Sequence, residues 1–390
     1  MISARLRAAA AAAGDVPTPF YLFDTAAIVE TARSMTAAWH GSFPRFTLAY
    51  SYKTNSLAGI TRLLRDAGAA AEVVSGAELS AALADGFESS QVYFDGPVKL
   101  PGELDQAVAA GVTVQLDSLD EVTTLLAARP ANPPRVTLRL AVRRGRRRWS
   151  RFGFLPVEID EARGQLARAG VPVRGIHFNT GVHPLDSGPY RAVLRDWRDV
   201  LRTLHAEAGE PMIVDIGGGF PAASCAPGTP LPPWSVYPEG IADQLHAIGI
   251  PPGDVHLVIE PGRSLVEDHA VMVAAVAVRK RRHRRDVVVV DGGTNLVRSI
   301  TAWPHPVEFL EPGQVPYDVY GAMCYESDLF AERVNGPATL ALGDRLLVGA
   351  AGGYDIPSAN VWVRPRPAVY AIAESGARPA ALRAAGTDIR

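Results

Sequence analysis

Two patterns of apolar residues alternate along the chain from about Ile28 to Pro261. Short runs rich in β-branched and aromatic residues are followed by longer segments in which apolar residues recur every three or four positions, as in strands and amphipathic helices. The predicted strands are 46–50, 73–74, 92–94, 113–116, 136–140, 175–178, 212–216 and 256–259. The helical segments include 77–85, 101–110, 118–128, 157–169 and 190–208. Eight such units predict an α/β fold, a parallel (β/α)8 barrel with catalytic groups at the carboxyl ends of its strands.

The pattern changes after Glu260, because the later strand candidates are not separated by long helical segments. This succession of strand candidates predicts a second, mostly β domain of the barrel or sandwich type. Its candidate strands are 271–278, 286–290, 345–348 and 368–372. We therefore expect four parts: an N-terminal segment (1–27) that pairs with the β domain, a barrel (28–268), the β domain (269–373) and a flexible tail (374–390).

Composition narrows the range of partners. The chain has 390 residues, of which 47% are hydrophobic and 21% charged, and a formal net charge of −2, so no overall charge draws it to nucleic acid or to a membrane. Cys225 and Cys324 lie far apart and predict neither a disulfide framework nor a zinc site. No apolar run approaches the ~20 residues that a membrane-spanning helix requires. We expect a cytoplasmic protein.

A lysine follows the first predicted barrel strand. Lys53 lies where a β-rich run ends and a helix begins, and a side chain at the carboxyl end of a barrel strand points into the site. Most lysines simply solvate a surface. A desolvated lysine can, however, form a Schiff base with an aldehyde cofactor.

Three glycines follow a later strand. Gly217, Gly218 and Gly219 come directly after the run that ends at Ile216, and their backbone N–H groups can approach phosphate oxygens. Such a cluster can equally be a plain turn. The loop lacks the spacing of a Walker loop or a dinucleotide fingerprint, which favours a monophosphate over a nucleotide.

Two more strand ends carry polar groups. Glu260, Gly262 and Arg263 place an acid and a guanidinium within four residues, where a local salt bridge is the structural alternative. His177 and Thr180 follow another strand. A single histidine in this position is more often a hydrogen-bonded core residue than a catalytic one.

The order of these motifs resembles that of the fold-type III pyridoxal-phosphate (PLP) decarboxylases, the family of diaminopimelate, ornithine and arginine decarboxylases. Each motif is weak alone, but the series spans nearly the whole chain. The matching segments are 18–24, 50–55, 74–79, 96–104, 111–118, 177–180, 215–220, 260–263, 291–295 and 321–328.

The resemblance implies PLP as cofactor and decarboxylation of an amino acid or amino-acid conjugate as the reaction. Lys53 would form the internal aldimine, Glu260 would pair with the pyridine nitrogen, and His177 would lie against the ring. Carbon dioxide would leave before a quinonoid carbanion is protonated. The other implied cofactor-binding residues are Glu72, Thr180, Gly217, Gly218, Gly219, Gly262, Arg263 and Tyr354.

The resemblance also implies a homodimer with shared active sites. The family's proton donor is associated with a cysteine that the partner subunit inserts, and Cys324 matches it. A free cysteine in a core would instead be inert.

The chain departs from the family at the residues that bind the far end of the substrate. Tyr325 replaces an acidic residue, so Glu326 or Asp328 would supply the acid for a distal amine, or Tyr325 would accommodate a bulkier or uncharged group. Arg147 or Arg148 lies near the position of one family arginine, and Arg298 lies one residue from another, which contacts the substrate carboxylate. These departures favour a specialised, secondary-metabolic decarboxylase over a housekeeping enzyme.

A basic block at 279–285 separates two strands of the second domain. It can be a solvated hairpin tip, or it can dock an acidic carrier protein that presents the substrate. It lacks the interleaved aromatic residues that favour nucleic acid binding.

Two other functions fit the same fold. An amino-acid racemase or epimerase is disfavoured by Glu260, because alanine racemases set an arginine against the pyridine nitrogen. A noncatalytic PLP-binding or regulatory homologue is disfavoured because Lys53, Glu260, Cys324 and the glycine loop occur together. The scattered histidines predict no metal site.

Overall fold

A closed parallel barrel forms the first large part of the protein. The computed structural model describes residues 2–127, 133–145, 148–181, 183–373 and 380–384, and its strands and helices are numbered here in chain order. The barrel strands are β2 (Arg45–Ser51), β3 (Ala70–Val73), β4 (Val92–Phe94), β5 (Thr113–Leu116), β6 (Arg135–Arg139), β9 (Val173–His177), β10 (Met212–Asp215) and β11 (Val255–Ile259). They close in the order β10-β11-β2-β3-β4-β5-β6-β9.

All eight predicted barrel strands are confirmed, with bounds that differ by a few residues. The largest shift is at β3, which covers Ala70–Val73 rather than 73–74. Its alanines are poor strand formers in isolation, but all four residues of β3 are buried between neighbouring strands. Tertiary packing therefore decides the assignment.

Helices surround the barrel and fill the connections between its strands. They are α1 (Ala4–Ala12), α2 (Thr25–His40), α3 (Ala58–Asp66), α4 (Gly76–Ala84), α5 (Pro101–Ala110), α6 (Leu119–Ala127), α7 (Pro156–Arg168), α8 (Gly188–Asp196), α9 (Arg198–Glu207), α10 (Val236–Ala247), α11 (Arg263–Val266) and α12 (Asp355–Ser358). No helix in the described ranges is long and apolar enough to cross a membrane.

The prediction of one helix over 190–208 is wrong. The segment forms α8 and α9, which meet at Trp197 in a non-helical conformation (φ −103°, ψ 15°). The indole Nε1 of Trp197 donates a hydrogen bond to the carbonyl oxygen of Ala141 at 3.0 Å. This contact lies far away in sequence, so a local apolar period cannot reveal the break.

A nine-stranded sheet forms the second part, which confirms the expected mostly β domain. Its strands are β1 (Phe20–Phe23), β12 (Ala270–Arg282), β13 (Arg285–Val290), β14 (Val307–Phe309), β15 (Val315–Tyr320), β16 (Leu329–Gly336), β17 (Arg345–Gly349), β18 (Ala368–Ala371) and β19 (Ala380–Arg383). The sequence did not predict β14, β15 or β16.

Both ends of the chain meet in this sheet. Strand β1 pairs antiparallel with β12 and parallel with β18. Strand β19 pairs with β18, so the prediction of a flexible tail is wrong for residues 380–383. The rest of the predicted tail, apart from residue 384, lies outside the described residues.

A short ribbon leaves the barrel after β6 and was not predicted. It consists of β7 (Arg143–Arg144) and β8 (Arg148–Trp149), paired antiparallel. One face packs on the barrel helices, where the rings of Trp149 and Trp197 lie 6.0 Å apart. The ribbon therefore stands at the end of the barrel where the β6 strand emerges.

The β domain reaches the same end of the barrel through the loop after β17. The amide Nδ2 of Asn55 donates to the carbonyl oxygen of Gly352 at 3.0 Å, and the backbone N–H of Tyr354 donates to Thr54 at 2.6 Å. A Cβ on Gly352 would lie 1.8 Å from the carbonyl oxygen of Val266. Only glycine permits this approach of the two domains.

Candidate active site

Lys53 lies on a 3₁₀ turn, Tyr52–Thr54, that follows β2 directly. Its Nζ is 2.6 Å from both carboxylate oxygens of Glu72, the third residue of the neighbouring strand β3. The Ser51 hydroxyl donates to the same carboxylate at 2.5 Å. The Glu72 side chain is fully buried, whereas that of Lys53 is 42% exposed. A buried acid thus fixes an amine that a ligand can still reach.

Lys53 keeps its proton beside Glu72. Burial lowers the pKa of Lys53, but the charge of Glu72 and then that of Glu260 outweigh it, so the pKa lies above the ordinary range. Burial raises the pKa of Glu72, and the charge of Lys53 opposes this rise. The Glu72 carboxylate therefore holds the Lys53 ammonium in place.

His177 joins two carboxylates at the end of β9. Its Nδ1 lies 3.1 Å from Asp95 Oδ1 and its Nε2 lies 3.5 Å from Glu260 Oε2. Arg139, at the end of β6, holds Asp95 from the other side at 3.2 Å and also pairs with Asp117 at 3.2 Å. All of these side chains are buried. The chain of contacts fixes the imidazole between two acids.

Glu260 and Asp215 lie at the ends of adjacent strands, and their pKa values shift in opposite directions. Burial by itself raises the pKa of Glu260, but His177 and then Lys53 lower it to about 2. Burial, and next the charge of Glu260, raise the pKa of Asp215 well above its usual range. Asp215 also accepts hydrogen bonds from Gln115 at 2.6 Å and from the Gly217 N–H at 2.9 Å. Glu260 therefore remains an anion at neutral pH.

The carboxylate ends of Asp95, Glu260 and the His177 ring lie within 4.8 Å of one another. This spacing is compatible with a metal ion as well as with a protonated organic cation. The sequence predicts no metal, and metal analysis of the purified protein tests that prediction.

A second group of residues suits a phosphate. Arg263 is buried against the rings of Trp303 at 3.8 Å and Tyr354 at 4.9 Å, and it pairs with Glu267. Next to it, Ser264 Oγ is buried without a hydrogen-bond partner among the described residues.

The glycines of this region are set by close backbone contacts. A Cβ on Gly262 would lie 1.9 Å from Thr54 Oγ1, a buried hydroxyl that also has no partner in the described part of the chain. Gly217 and Gly219 have φ values of +70° and +88°, and a Cβ on Gly218 would lie 2.1 Å from the Glu260 carbonyl oxygen. Unpaired buried hydroxyls beside a guanidinium fit the phosphate of PLP.

The structure brings most of the sequence-predicted residues to this end of the barrel. Lys53, Glu72, His177, Thr180, Glu260, Arg263 and Tyr354 follow barrel strands or contact residues that do. Sequence reasoning missed Asp95, Arg139, Ser264 and Glu267. The first two are the charged residues at the ends of β4 and β6, so the strand-end rule that selected Lys53 also selects them.

Cys324 lies elsewhere. It is exposed and lines a cavity of about 1090 Å³ together with the basic block and the 320–328 loop. None of Lys53, His177 and Glu260 lines this cavity. One protomer therefore does not unite Cys324 and Lys53 in one cavity.

The substrate-binding candidates of this loop differ in exposure. Asp328 is buried, and its carboxylate accepts hydrogen bonds from Thr294 and from the Met323 N–H at 2.7 Å, so it braces the loop. Tyr325 stacks on Trp362 with ring centroids 5.7 Å apart. Glu326 is exposed and lines the cavity.

Arg298 is not part of the Lys53 cluster. Arg298 is exposed at the start of a 3₁₀ turn, Arg298–Thr301. Arg147 lies outside the described residues.

The fold and the lysine-centred site define a PLP-dependent enzyme of the barrel type. The family model described as "pyridoxal-dependent decarboxylase, pyridoxal binding domain" matches residues 29–267. The chain belongs to this family. It is a PLP-dependent carboxy-lyase that acts on a small amino-acid substrate.

Relatives and solved structures agree with this assignment. The chain is 27% identical to the diaminopimelate decarboxylase of Methanothermobacter thermautotrophicus, over 93% of this chain and 88% of that one. It is 29% identical to that of Deinococcus radiodurans, with 90% and 89% covered. The crystal structure of diaminopimelate decarboxylase from M. jannaschii has a TM-score of 0.86 at 25% identity, with 97% and 92% covered. Lysine/ornithine decarboxylase of Vibrio vulnificus complexed with putrescine has the same fold (TM-score 0.80, 22% identity, 95% and 99% covered).

Proposed function

We propose that this decarboxylase works as a homodimer whose two sites each combine Lys53, Glu72, His177 and Glu260 of one subunit with Cys324 of the other. The observation that carries the proposal is Lys53, held 2.6 Å from buried Glu72 beside the Asp95, His177 and Glu260 cluster. The absence of Cys324 from that cluster within one protomer supports the contribution of a second copy.

Different residues of the site would hold the phosphate and the ring of the cofactor. Arg263, Ser264, Tyr354 and the 217–219 loop would hold the phosphate, and Glu260 and His177 would hold the ring. When bound, PLP supplies the electron sink that accepts the electron pair of the breaking bond between Cα and the carboxylate. Glu260 is ionised because its pKa is about 2. Its negative charge would stabilise the protonated, positively charged ring nitrogen.

Glu72 positions the Lys53 amine. Its carboxylate accepts a hydrogen bond from Lys53 Nζ at 2.6 Å and holds the amine at the end of β2, where the cofactor aldehyde would lie. Asp95 and Arg139 orient His177, because the imidazole Nδ1 faces a carboxylate that the guanidinium fixes. Cys324 of the partner subunit would return a proton to Cα after carbon dioxide leaves.

The experiment is direct, because the chain contains only three lysines: Lys53, Lys99 and Lys280. The purified protein is examined by absorbance between 300 and 500 nm, reduced with borohydride and mapped by mass spectrometry. We expect the cofactor on Lys53. Lys99 is a buried internal control, since it is fully buried and paired with Glu121 at 3.2 Å. Lys280 is an exposed internal control.

Turnover is measured as carbon-dioxide release from diaminopimelate, lysine, ornithine, arginine, glutamate and conjugated diamines. Carbon dioxide from one of them, lost in K53A, supports the proposal. A protein that binds no PLP, or that carries PLP on Lys99 or Lys280, would overturn it.

A specific observation favours a second candidate, in which an acidic carrier protein presents the substrate. The basic hairpin 279–285 lines the same cavity as Cys324, and no carboxylate lies within 4.0 Å of Lys280, Arg282 or Arg284 among the described residues. In the proposed dimer this positive surface would flank the partner's active site and attract an anionic protein.

The carrier hypothesis predicts a strong dependence on ionic strength. Glutamate attached to a purified acidic acyl carrier protein through its side-chain carboxyl group, so that its α-carboxylate stays free, should release carbon dioxide faster than free glutamate. The advantage should fall with added salt. The triple variant K280Q/R282Q/R284Q should lose this advantage, whereas R168Q, on an exposed helix position, should keep it. Equal rates for free and loaded substrate would contradict the hypothesis.

A further inference from the structure

Arg263, the arginine assigned above to the cofactor phosphate, already has a carboxylate partner. Its Nη1 donates a hydrogen bond to Glu267 Oε2, four positions further along the chain, in a buried ion pair. The same Nη1 lies 3.6 Å from Cys225 Sγ, and the centre of the Trp303 ring lies 3.8 Å from the guanidinium carbon. The guanidinium is therefore fixed in place, and a phosphate that approaches it meets the charge of Glu267.

Glu267 borders the groups that would receive the phosphate. Its Oε1 accepts a hydrogen bond from the Ser224 hydroxyl at 2.8 Å. A Cβ added to Gly353 would lie 3.3 Å from Glu267 Oε2 and 3.4 Å from Thr54 Cγ2, so the carboxylate and Thr54 lie on either side of this glycine. The hydroxyls of Thr54 and Ser264 are buried and have no hydrogen-bond partner in the described part of the chain. An acid thus stands at the edge of a group of unpaired donors.

The phosphate and an ionised Glu267 would be two anions at one guanidinium. A phosphate monoester carries about 1.5 to 2 negative charges at pH 7, and like charges a few ångströms apart repel strongly when they are buried. A proton on Glu267 removes this repulsion. It also frees the Arg263 Nη1, because a neutral carboxyl group is a weaker acceptor than a carboxylate.

The surroundings of Glu267 favour such a proton near neutral pH. Burial raises the pKa of Glu267 to about 7, although Arg263 and then the hydrogen bond from Ser224 oppose the rise. The adjacent Asp268 raises it further, and Cys225 lowers it. A phosphate on the guanidinium would add negative charge and remove the cation from Glu267, and both changes raise the pKa again.

We propose that Glu267 and the phosphate group of the cofactor compete for Arg263, and that Glu267 takes up a proton from solvent when the phosphate binds. This inference rests on the assignment of the phosphate to Arg263 under the proposed function, and it adds Glu267 to the site as the proton acceptor. The ligand class is a phosphate monoester. Because Glu267 can take up a proton only where it is ionised beforehand, phosphate binding weakens as the pH rises above about 7.

A purely structural role for Glu267 has the opposite consequence. If this carboxylate only oriented Arg263 toward the phosphate, its loss would weaken cofactor binding at every pH. If the carboxylate competes with the phosphate, its loss strengthens cofactor binding wherever Glu267 is ionised in the parent protein. The direction of the change in E267Q therefore distinguishes the two roles.

The test is a titration of the full-length protein, freed of cofactor, with PLP and with pyridoxal, which lacks the phosphate. We expect E267Q and the parent to have similar Kd values for PLP at pH 6. At pH 8.5 the Kd of the parent should exceed that of E267Q by about tenfold or more, whereas pyridoxal should show no such difference. E207Q, which removes an exposed carboxylate paired with Arg163 at 2.7 Å, should bind PLP as the parent does.

Two other groups near Arg263 titrate, but they are the same in parent and variant. Burial raises the pKa of Asp355 to about 7 and lowers the pKa of His305, so only the difference between parent and E267Q is assigned to Glu267. Calorimetry at pH 8 in buffers of different ionisation enthalpy should show more proton uptake per bound PLP in the parent, by up to one proton. S224A removes the hydrogen bond to the Glu267 anion, so the weakening should begin at a higher pH.

The possible failures are distinguishable. Weaker PLP binding by E267Q at every pH, or a ratio of Kd values that does not change with pH, would overturn the competition and leave Arg263 as the phosphate-binding residue. PLP binding by R263Q with the affinity of the parent would instead overturn the assignment on which the inference rests. Because these are binding measurements, the expected pH dependence without carbon dioxide from any amino acid would support the competition and overturn the proposed function.

Discussion

Glu260 and Asp215 illustrate how neighbouring buried acids acquire different roles. Both are buried at the ends of adjacent strands, but only Glu260 contacts His177 and is influenced by Lys53. Burial raises the pKa of Glu260, but His177 and then Lys53 lower it to about 2, whereas burial and then the charge of Glu260 raise the pKa of Asp215. The anion is thus fixed at one residue, where the proposed ring nitrogen requires it.

The variant E260Q tests this assignment. The amide keeps the shape of the side chain and cannot oppose a positive ring nitrogen, so we expect PLP to remain on Lys53 while the rate of carbon-dioxide release falls about 100-fold or more, the size of losing one preorganised electrostatic partner. The measurement is kcat together with the absorbance of the bound cofactor. E30Q, at an exposed position on α2, is the matched control. A kcat equal to that of the parent would contradict the role of Glu260.

Glu267 predicts a pH dependence of stability. Burial raises its pKa from 4.5 to about 7, although Arg263 and Ser224 oppose this shift. Between these two values the folded protein holds a proton that the unfolded chain has released, so the free energy of unfolding falls as the pH rises from about 4.5 to about 7.

E267Q removes this titration. Compared with the variant, the parent protein should lose roughly 3 kcal/mol of unfolding free energy between pH 4 and pH 8, from about 1.4 kcal/mol per pKa unit. Urea unfolding of both proteins across this range, at fixed PLP, measures the difference. Parallel pH profiles would show that Glu267 is ionised throughout.

The sequence predicts the site residues that belong to a recognisable motif or that stand at the end of an apolar strand. Lys53 and the glycine loop belong to recognisable motifs, and Glu260 and His177 follow apolar strands. Asp95 and Arg139 follow strands too, but their significance lies in a contact between residues 44 positions apart. An ion pair of that separation has no local signature, so only the closed barrel reveals it.

At the scale of elements, the loop after β17 determines how the two domains meet. Gly352 lies against the backbone of Val266, and Tyr354 reaches Arg263 two residues later. The barrel strands were predictable because apolar periodicity is local. This contact, the ribbon and the break at Trp197 were not, because each depends on a partner remote in sequence.

G352A should therefore disturb both stability and cofactor retention. The added methyl group would overlap the Val266 carbonyl, and overpacking of this kind costs about 1–3 kcal/mol. We expect a lower melting temperature and faster loss of PLP on dialysis, because Tyr354 and Arg263 move apart. The control is G102A on α5, where a Cβ meets nothing within 4 Å. If the two variants behaved alike, the close approach at Gly352 would have no energetic consequence.

At the scale of the whole molecule, positive charge is concentrated on two segments of a chain with net charge −2. The ribbon lies at the barrel mouth and the hairpin 279–285 lies beside Cys324. In the proposed dimer the hairpin of one subunit and the ribbon of the other would flank the same entrance. The resemblance of the motifs implies the dimer, but this juxtaposition has no local signature in the sequence, because a single chain specifies only half of the site.

The shared site makes a quantitative prediction about mixed dimers. K53A and C324A should each be inactive or nearly so, since each lacks one of the two groups in both of its sites. After random exchange of subunits, half of the dimers are mixed, and one of the two sites in each mixed dimer contains both Lys53 and Cys324. Carbon-dioxide release should therefore recover to about one quarter of the parent activity. Mixing C324A with K53A/C324A, which cannot assemble a complete site, should restore nothing. No recovery in the first mixture, with exchange verified by native mass spectrometry, would place Cys324 outside the partner's active site.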